Sequence, residues 1–113
     1  NYTNPLLDTP RWNAYREAYA EDHDGMSTPS LSTHYYDAVY MIKEAIENTG
    51  ITGNPSMLAE ERKKIRDYCK NVKNFEGLQF NWSMKDFVPT DKPLYLFEIS
   101  DGKKKLVAEI RPE

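Results

Sequence analysis

Two histidines, one cysteine and one adjacent pair of glutamates are the side chains of this 113-residue sequence best suited to chemistry, and their spacing decides what they can do. His23 lies between Asp22 and Asp24, a metal-like composition, but neighbouring residues seldom point at one ion and no helical i, i+4 ligand pair accompanies them. That stretch reads as a solvated turn. His34 falls at a helix start with no serine or cysteine motif around it, so a nucleophile and base are not expected. Cys69 is the only cysteine, which rules out an internal disulfide, a zinc cluster or a redox pair built from this chain. Glu60-Glu61 has the composition of an acid/base pair, yet it sits among Arg62, Lys63, Lys64 and Arg66, where i, i+4 surface pairs are the expected use. The five glycines fall at helix ends, in a loop and in a hairpin rather than in a phosphate-cradling loop. The expectation is a chain that is not an enzyme, with no catalytic residue, no metal ligand and no cofactor.

Composition narrows the partners. A formal net charge of -3 offers no field for a phosphate backbone, and the basic run Lys103-Lys104-Lys105 follows a turn, where it blunts a strand edge; no nucleic acid is expected. Hydrophobic content is 39%, and no apolar run approaches the roughly 18 residues of a membrane-crossing helix. The first residues, Asn1 to Pro5, carry neither the basic segment nor the apolar core of a leader, and there is no initiator methionine, so a piece of a longer protein is expected.

The elements that would position these side chains follow from punctuation and period. Thr9-Pro10 caps and starts a helix over about 10–22, with Trp12, Tyr15 and Tyr19 on one face and Gly25 near its end. Ser32 or Thr33 caps a second helix over about 33–48. Its apolar positions Tyr35, Ala38, Val39, Ile42, Ala45 and Ile46 keep helical spacing, Asp37 sits in its first turn, and Asn48-Thr49-Gly50 stops it. Asn54-Pro55 opens a third helix over about 55–74 that packs Leu58, Ile65, Tyr68, Cys69 and Val72. Alternation of Leu78, Phe80, Trp82 and Met84 predicts an extended segment over 78–84. Leu94 to Ile99 predicts an inner strand (94–100), joined through an Asp101-Gly102 turn to a partner over 105–110. Adjacent Tyr35 and Tyr36 cannot both face one core, so one of them points elsewhere. The fold class is α/β: three amphipathic helices and C-terminal strands with an Asp-Gly hairpin, as one unit over 1–113.

Taken in order, Pro10 to Tyr19, Tyr36-Asp37-Ala38-Val39 with Glu44-Ala45-Ile46 and Gly50, Arg62 to Tyr68, Phe75-Glu76-Gly77, Thr90-Asp91-Lys92 and Ile99-Ser100-Asp101-Gly102-Lys103 carry a resemblance. The chain resembles the C-terminal third of a type I periplasmic solute-binding protein of the leucine/isoleucine/valine-binding family, receptors for ABC importers. It departs from the family pattern after Gly77, where Leu78-Gln79-Phe80 stands in place of a second glycine. The resemblance implies a partial lobe of a two-lobed fold: the last helices of one lobe, then the final crossover and last strands. It implies an extracytoplasmic protein that closes its lobes on a small polar solute such as a branched-chain or other amino acid, and hands it to a permease. The same fold could serve as the ligand-sensing domain of a regulator or receptor, and an unrelated α/β interaction module is the other alternative. Most ligand-gripping residues of the family lie upstream of this segment, so no ligand-binding residue is assigned. Apolar faces left without their usual cover imply self-association, through the edge of Leu94 to Ile99, or a second chain segment in the same particle.

Overall fold

Helix α1 (Pro10–Asp22) begins where sequence punctuation requires: the Thr9 side chain accepts from the Trp12 N–H, and Pro10 occupies a position whose missing N–H costs nothing. A computed structural model describes residue 4, residues 6–29 and residues 31–112. Helix α2 (Ser32–Thr49) ends on Gly50 in the left-handed conformation, and a single 3-10 turn (Pro55–Met57), capped by Asn54, leads into α3 (Leu58–Lys70). Six strands follow: β1 (Phe75–Glu76), β2 (Asn81–Trp82), β3 (Met84–Lys85), β4 (Val88–Pro89), β5 (Leu94–Ser100) and β6 (Lys103–Ile110). Among the described residues they pair as three antiparallel hairpins, β1–β2, β3–β4 and β5–β6.

The core lies where α2, α3 and the first hairpins meet. Met41, Val72, Phe75 and Trp82 are buried together, with Tyr68, Cys69, Phe80 and Met84 packed around them. Each fully buried side chain of this kind contributes about 1.5–3 kcal/mol, and Trp12, Ala45, Leu78 and Tyr95 are buried outside this cluster. A second aromatic layer joins α1 to α2: Trp12 stacks on Tyr15, and Tyr15 meets the edge of Tyr36 at 5.1 Å, with Tyr36 against Tyr40. Tyr35, on the other side of α2, is 72% exposed.

Several expectations need correction. The face that α2 buries is Thr33, Asp37, Met41 and Ala45, whereas Tyr35, Val39, Ile42 and Ile46 form an apolar stripe open to solvent. Asp37 lies in the second turn, and it serves as an internal acceptor rather than a dipole partner. Leu31, not Ser32 or Thr33, is the N-cap and makes no side-chain cap. The Ser32 hydroxyl instead donates to the Pro29 carbonyl, and Thr33 is buried. Helix α3 stops at Lys70 because the β3–β4 turn closes over its end: the Phe87 N–H donates to the Lys70 carbonyl, the Asp86 N–H to the Asn71 side chain, and Lys70 pairs with Asp86 at 2.9 Å. Those contacts hold Asp86 and Phe87 at φ 52° and 66°, a conformation that a phenylalanine rarely adopts. The extended segment expected over 78–84 is consequently divided between β2 and β3. β6 starts at Lys103, two residues early, and β5 pairs with β6 alone rather than lying inside a sheet.

Asp101 and Gly102 do supply the two positive φ angles (51° and 72°) of the β5–β6 turn. The hairpin is rooted by buried Pro93 and Tyr95, but from Glu98 round to Lys105 every residue is exposed. Its projection accounts for a radius of gyration of 17.2 Å, against roughly 13 Å for a compact chain of this length.

Glu61 also departs from its expected surface role. Glu60 pairs with Lys64 as anticipated, but Glu61 is buried and accepts from the Thr52 N–H (2.7 Å), the Thr52 hydroxyl (2.6 Å) and the Gly53 N–H (3.1 Å). It folds the α2–α3 loop onto α3. Replacing Glu61 with Gln should lower the melting temperature and speed amide exchange at Thr52 and Gly53, because an amide presents one acceptor oxygen where the carboxylate uses two. Unchanged exchange at both amides would show that the loop holds itself.

Candidate functional site

The most tightly organised polar group in the protein surrounds Asp37. Helix α2 directs this side chain at the segment between β1 and β2, where Oδ1 accepts from the Leu78 N–H (2.9 Å) and Oδ2 from the Trp82 indole N–H (2.8 Å). Only 3% of Asp37 remains exposed. One turn earlier, the Thr33 hydroxyl accepts from the Gln79 amide at 2.8 Å, and the other end of that amide accepts from the Asn4 N–H. A single helix edge therefore grips Leu78, Gln79 and Trp82. Gly77 makes this possible. A Cβ there would lie 2.5 Å from Asp37 Oδ2 and 2.6 Å from the Phe80 carbonyl oxygen.

Around Trp82 the layer is aromatic and cationic. Phe80 lies at 4.7 Å, His34 meets the ring edge-on at 5.4 Å, and Lys92 Nζ stands 5.6 Å from its centroid. Burial holds the His34 imidazole below its usual pKa, with the Lys92 charge adding to the effect, and burial likewise lowers Lys92. Asp37 moves the other way. Desolvation raises its pKa, and the hydrogen bonds from Trp82 and Leu78 and the charge of Arg11 only partly oppose that. Glu61 is held below the usual glutamate range by its Thr52 and Gly53 donors. It is shielded from direct water contact but lies in a shallow surface layer, where desolvation is the weaker effect.

Beside this cluster, Thr9, Arg11, Glu76, Gly77, Gln79 and Phe80 help to line a cleft of about 400 Å³. The guanidinium of Arg11 is engaged there by the Glu76 carbonyl at 3.1 Å and the Glu76 carboxylate at 3.5 Å. The cleft thus combines polar and apolar side chains. The other residues with chemical potential are dispersed. The His23 ring stacks on Tyr19 and its Nδ1 meets the Tyr19 carbonyl. Cys69 packs beside the core, and burial raises its thiol pKa. Among the described residues no three His, Cys, Asp or Glu side chains gather as a metal site. Sequence reasoning missed Asp37 and Gln79 as organisers. The available signal was a carboxylate at helical spacing from Thr33 and Met41, on the less apolar side of α2.

No protein-family model matches the chain, and no curated protein matches it in sequence. A solved structure does: the leucine-binding protein LivK of Thermotoga maritima superposes with a TM-score of 0.67 at 24% identity. The match covers 99% of this chain and 30% of that one, so the present chain spans under a third of the neighbour's length. The chain has part of a periplasmic-binding-protein fold, with the α/β class expected from its sequence.

Removing the Asp37 carboxylate leaves two enclosed donors unpaired, at about 1–3 kcal/mol each. Asp37→Ala should therefore cost about 3 kcal/mol in chemical denaturation, with Asp37→Asn falling between it and the parent. Gly77→Ala should cost about 2 kcal/mol through overpacking against backbone that cannot yield. The signs of the pH effects differ. Because folding raises the Asp37 pKa, its contribution to stability is greatest below the ordinary aspartate value and is lost as pH rises through the raised one. The Glu61 contribution is present above the ordinary glutamate value and is lost as pH falls through the lowered one. Carboxyl-carbon NMR titration checks both; Asp37 titrating at or below about 3.9 would mean that its hydrogen bonds outweigh desolvation.

Proposed function

We propose that this chain forms part of a two-lobed solute-binding protein, which captures a small polar solute and delivers it to a membrane permease without chemical change. The observation that carries the reading is the superposition on the leucine-binding protein over 99% of this chain. In this reading α1, α2 and α3 form an outer layer of one lobe, and the exposed stripe Tyr35, Val39, Ile42 and Ile46 is the face that the strands of that lobe cover. The Pro89 to Pro93 segment is a crossover, and the β5–β6 hairpin belongs to the second lobe. Its projection away from the helices fits that division.

An amino acid is the simplest ligand, by analogy with what the neighbour is named for, and an ABC permease is the partner. The protein works outside the cytoplasm, and lobe closure about the crossovers provides the binding step. Binding rather than catalysis is supported by the type of neighbour and by the dispersion of the reactive side chains. The ligand-contacting residues lie on the remainder of the lobes, and the Asp37 cluster holds the surface against which they are built.

The test uses the full-length gene product, unfolded and refolded to strip bound solute. A panel of amino acids, amides and organic acids should include at least one that raises the melting temperature. At a hundredfold excess over Kd the gain is about 2.7 kcal/mol, a shift of several degrees. A flat response across the whole panel would sink the reading.

A further inference from the structure

Every polar group of Ser83 is engaged, by partners on both sides of it in the chain. Its carbonyl accepts from the Thr90 N–H at 2.9 Å and from the Thr90 hydroxyl at 3.2 Å. Its N–H donates to Asp91 Oδ1 at 3.1 Å, and its own hydroxyl accepts from the Asn74 N–H at 3.1 Å. One residue on, the Met84 N–H donates to the carbonyl of Val72, a member of the buried core, at 2.8 Å. Thr90 and Asp91 are thereby tied, through Ser83, to the stretch that leaves α3.

The residues that follow have little freedom of their own. Lys92 stands with its ammonium 5.6 Å from the centre of the Trp82 ring, and the proline after it confines its backbone to extended conformations. Pro93 is fully buried, and its ring fixes φ. No glycine interrupts residues 88–94. A loose linker is built otherwise, from glycine and serine without fixed partners.

We propose that residues 89–93 form a stiff strut anchored to the helical body through Ser83, and that Asp91 is the positioning residue that sets its direction. The proposal rests on the reading of this segment as a crossover and deepens it: the stretch through Lys92 moves with the helices, and lobe closure bends the chain beyond Pro93. Asp91 is exposed, so water can serve the Ser83 N–H when the carboxylate is removed, and the bond directs the chain more than it stabilises the fold.

Amide exchange on the full-length gene product, read at single residues, tests the anchor without any ligand. The Ser83 and Thr90 amides should exchange slowly in the parent. Asp91→Ala should speed exchange at Ser83 about tenfold with a nearly unchanged melting temperature, whereas Asp91→Asn, which keeps the acceptor oxygen, should stay near the parent. Unchanged exchange at Ser83 in Asp91→Ala, or equal acceleration in both variants, would overturn the anchor. Calorimetry then uses the member of the amino acid, amide and organic acid panel that raises the melting temperature most. A crossover freed from its anchor must be ordered again on closure, so Asp91→Ala should bind that solute about threefold more weakly and Asp91→Asn as the parent does. Equal affinity in Asp91→Ala despite faster exchange would overturn the positioning role. If no solute in the panel binds, the solute-binding reading falls and takes the closure role of the strut with it, while the exchange data still decide the anchor.

Discussion

A carboxylate withdrawn from water must be given donors, and the way Asp37 acquires them organises the helical body of this protein. Its two oxygens are taken by the Leu78 backbone and the Trp82 indole, forty or more positions along the chain. One residue of α2 thereby fixes both the backbone path after β1 and the orientation of the largest core side chain. Thr33 extends the grip to Gln79, and Gly77 provides the closeness that any Cβ would prevent. Apolar burial is non-directional and does not by itself fix the path of the segment between β1 and β2. Directional bonds to an enclosed charge select one path. The cost of desolvating that charge appears as its raised pKa, so the same interaction that specifies the fold also makes it sensitive to pH.

The consequence is an unusual division of surfaces. Because α2 turns its polar hub inward, its most apolar stripe faces out, and the β5–β6 hairpin projects with hydrophobic side chains on both faces. The fold neighbour is more than three times longer, and this chain superposes on under a third of it. Glu61, Glu44 with Tyr68, and Lys70 with Asp86 then act as local fasteners that keep loops and helix ends in place around the hub. The aromatic layer from Trp12 through Tyr15 to Tyr36 and Tyr40 secures α1 to the same helix.

Much of this was legible before any coordinates. Thr9-Pro10, Asn54-Pro55, Gly50 and Asp101-Gly102 mark helix starts, a helix stop and a hairpin through the φ angles and capping groups they supply, and each of these features acts within a few residues. The order of short motifs was sufficient to indicate part of a periplasmic-binding-protein fold. The β3–β4 turn went unseen because Asp86 and Phe87 adopt positive φ without a glycine to announce it. They are held there by Lys70 and Asn71, which are distant in sequence.

By itself, the sequence determined the number and approximate extent of the helices, the last hairpin and the α/β class, since capping, turn chemistry and periodicity are local. Only the tertiary structure decided which face of α2 is inside, that Glu61 clasps a loop rather than lying on a wet surface, and that among the described residues β5 pairs with β6 alone. Those outcomes depend on partners contributed from elsewhere in the chain. An apolar stripe is buried only if something apolar arrives to cover it, and here Leu78 and Trp82 brought hydrogen-bond donors to the opposite face.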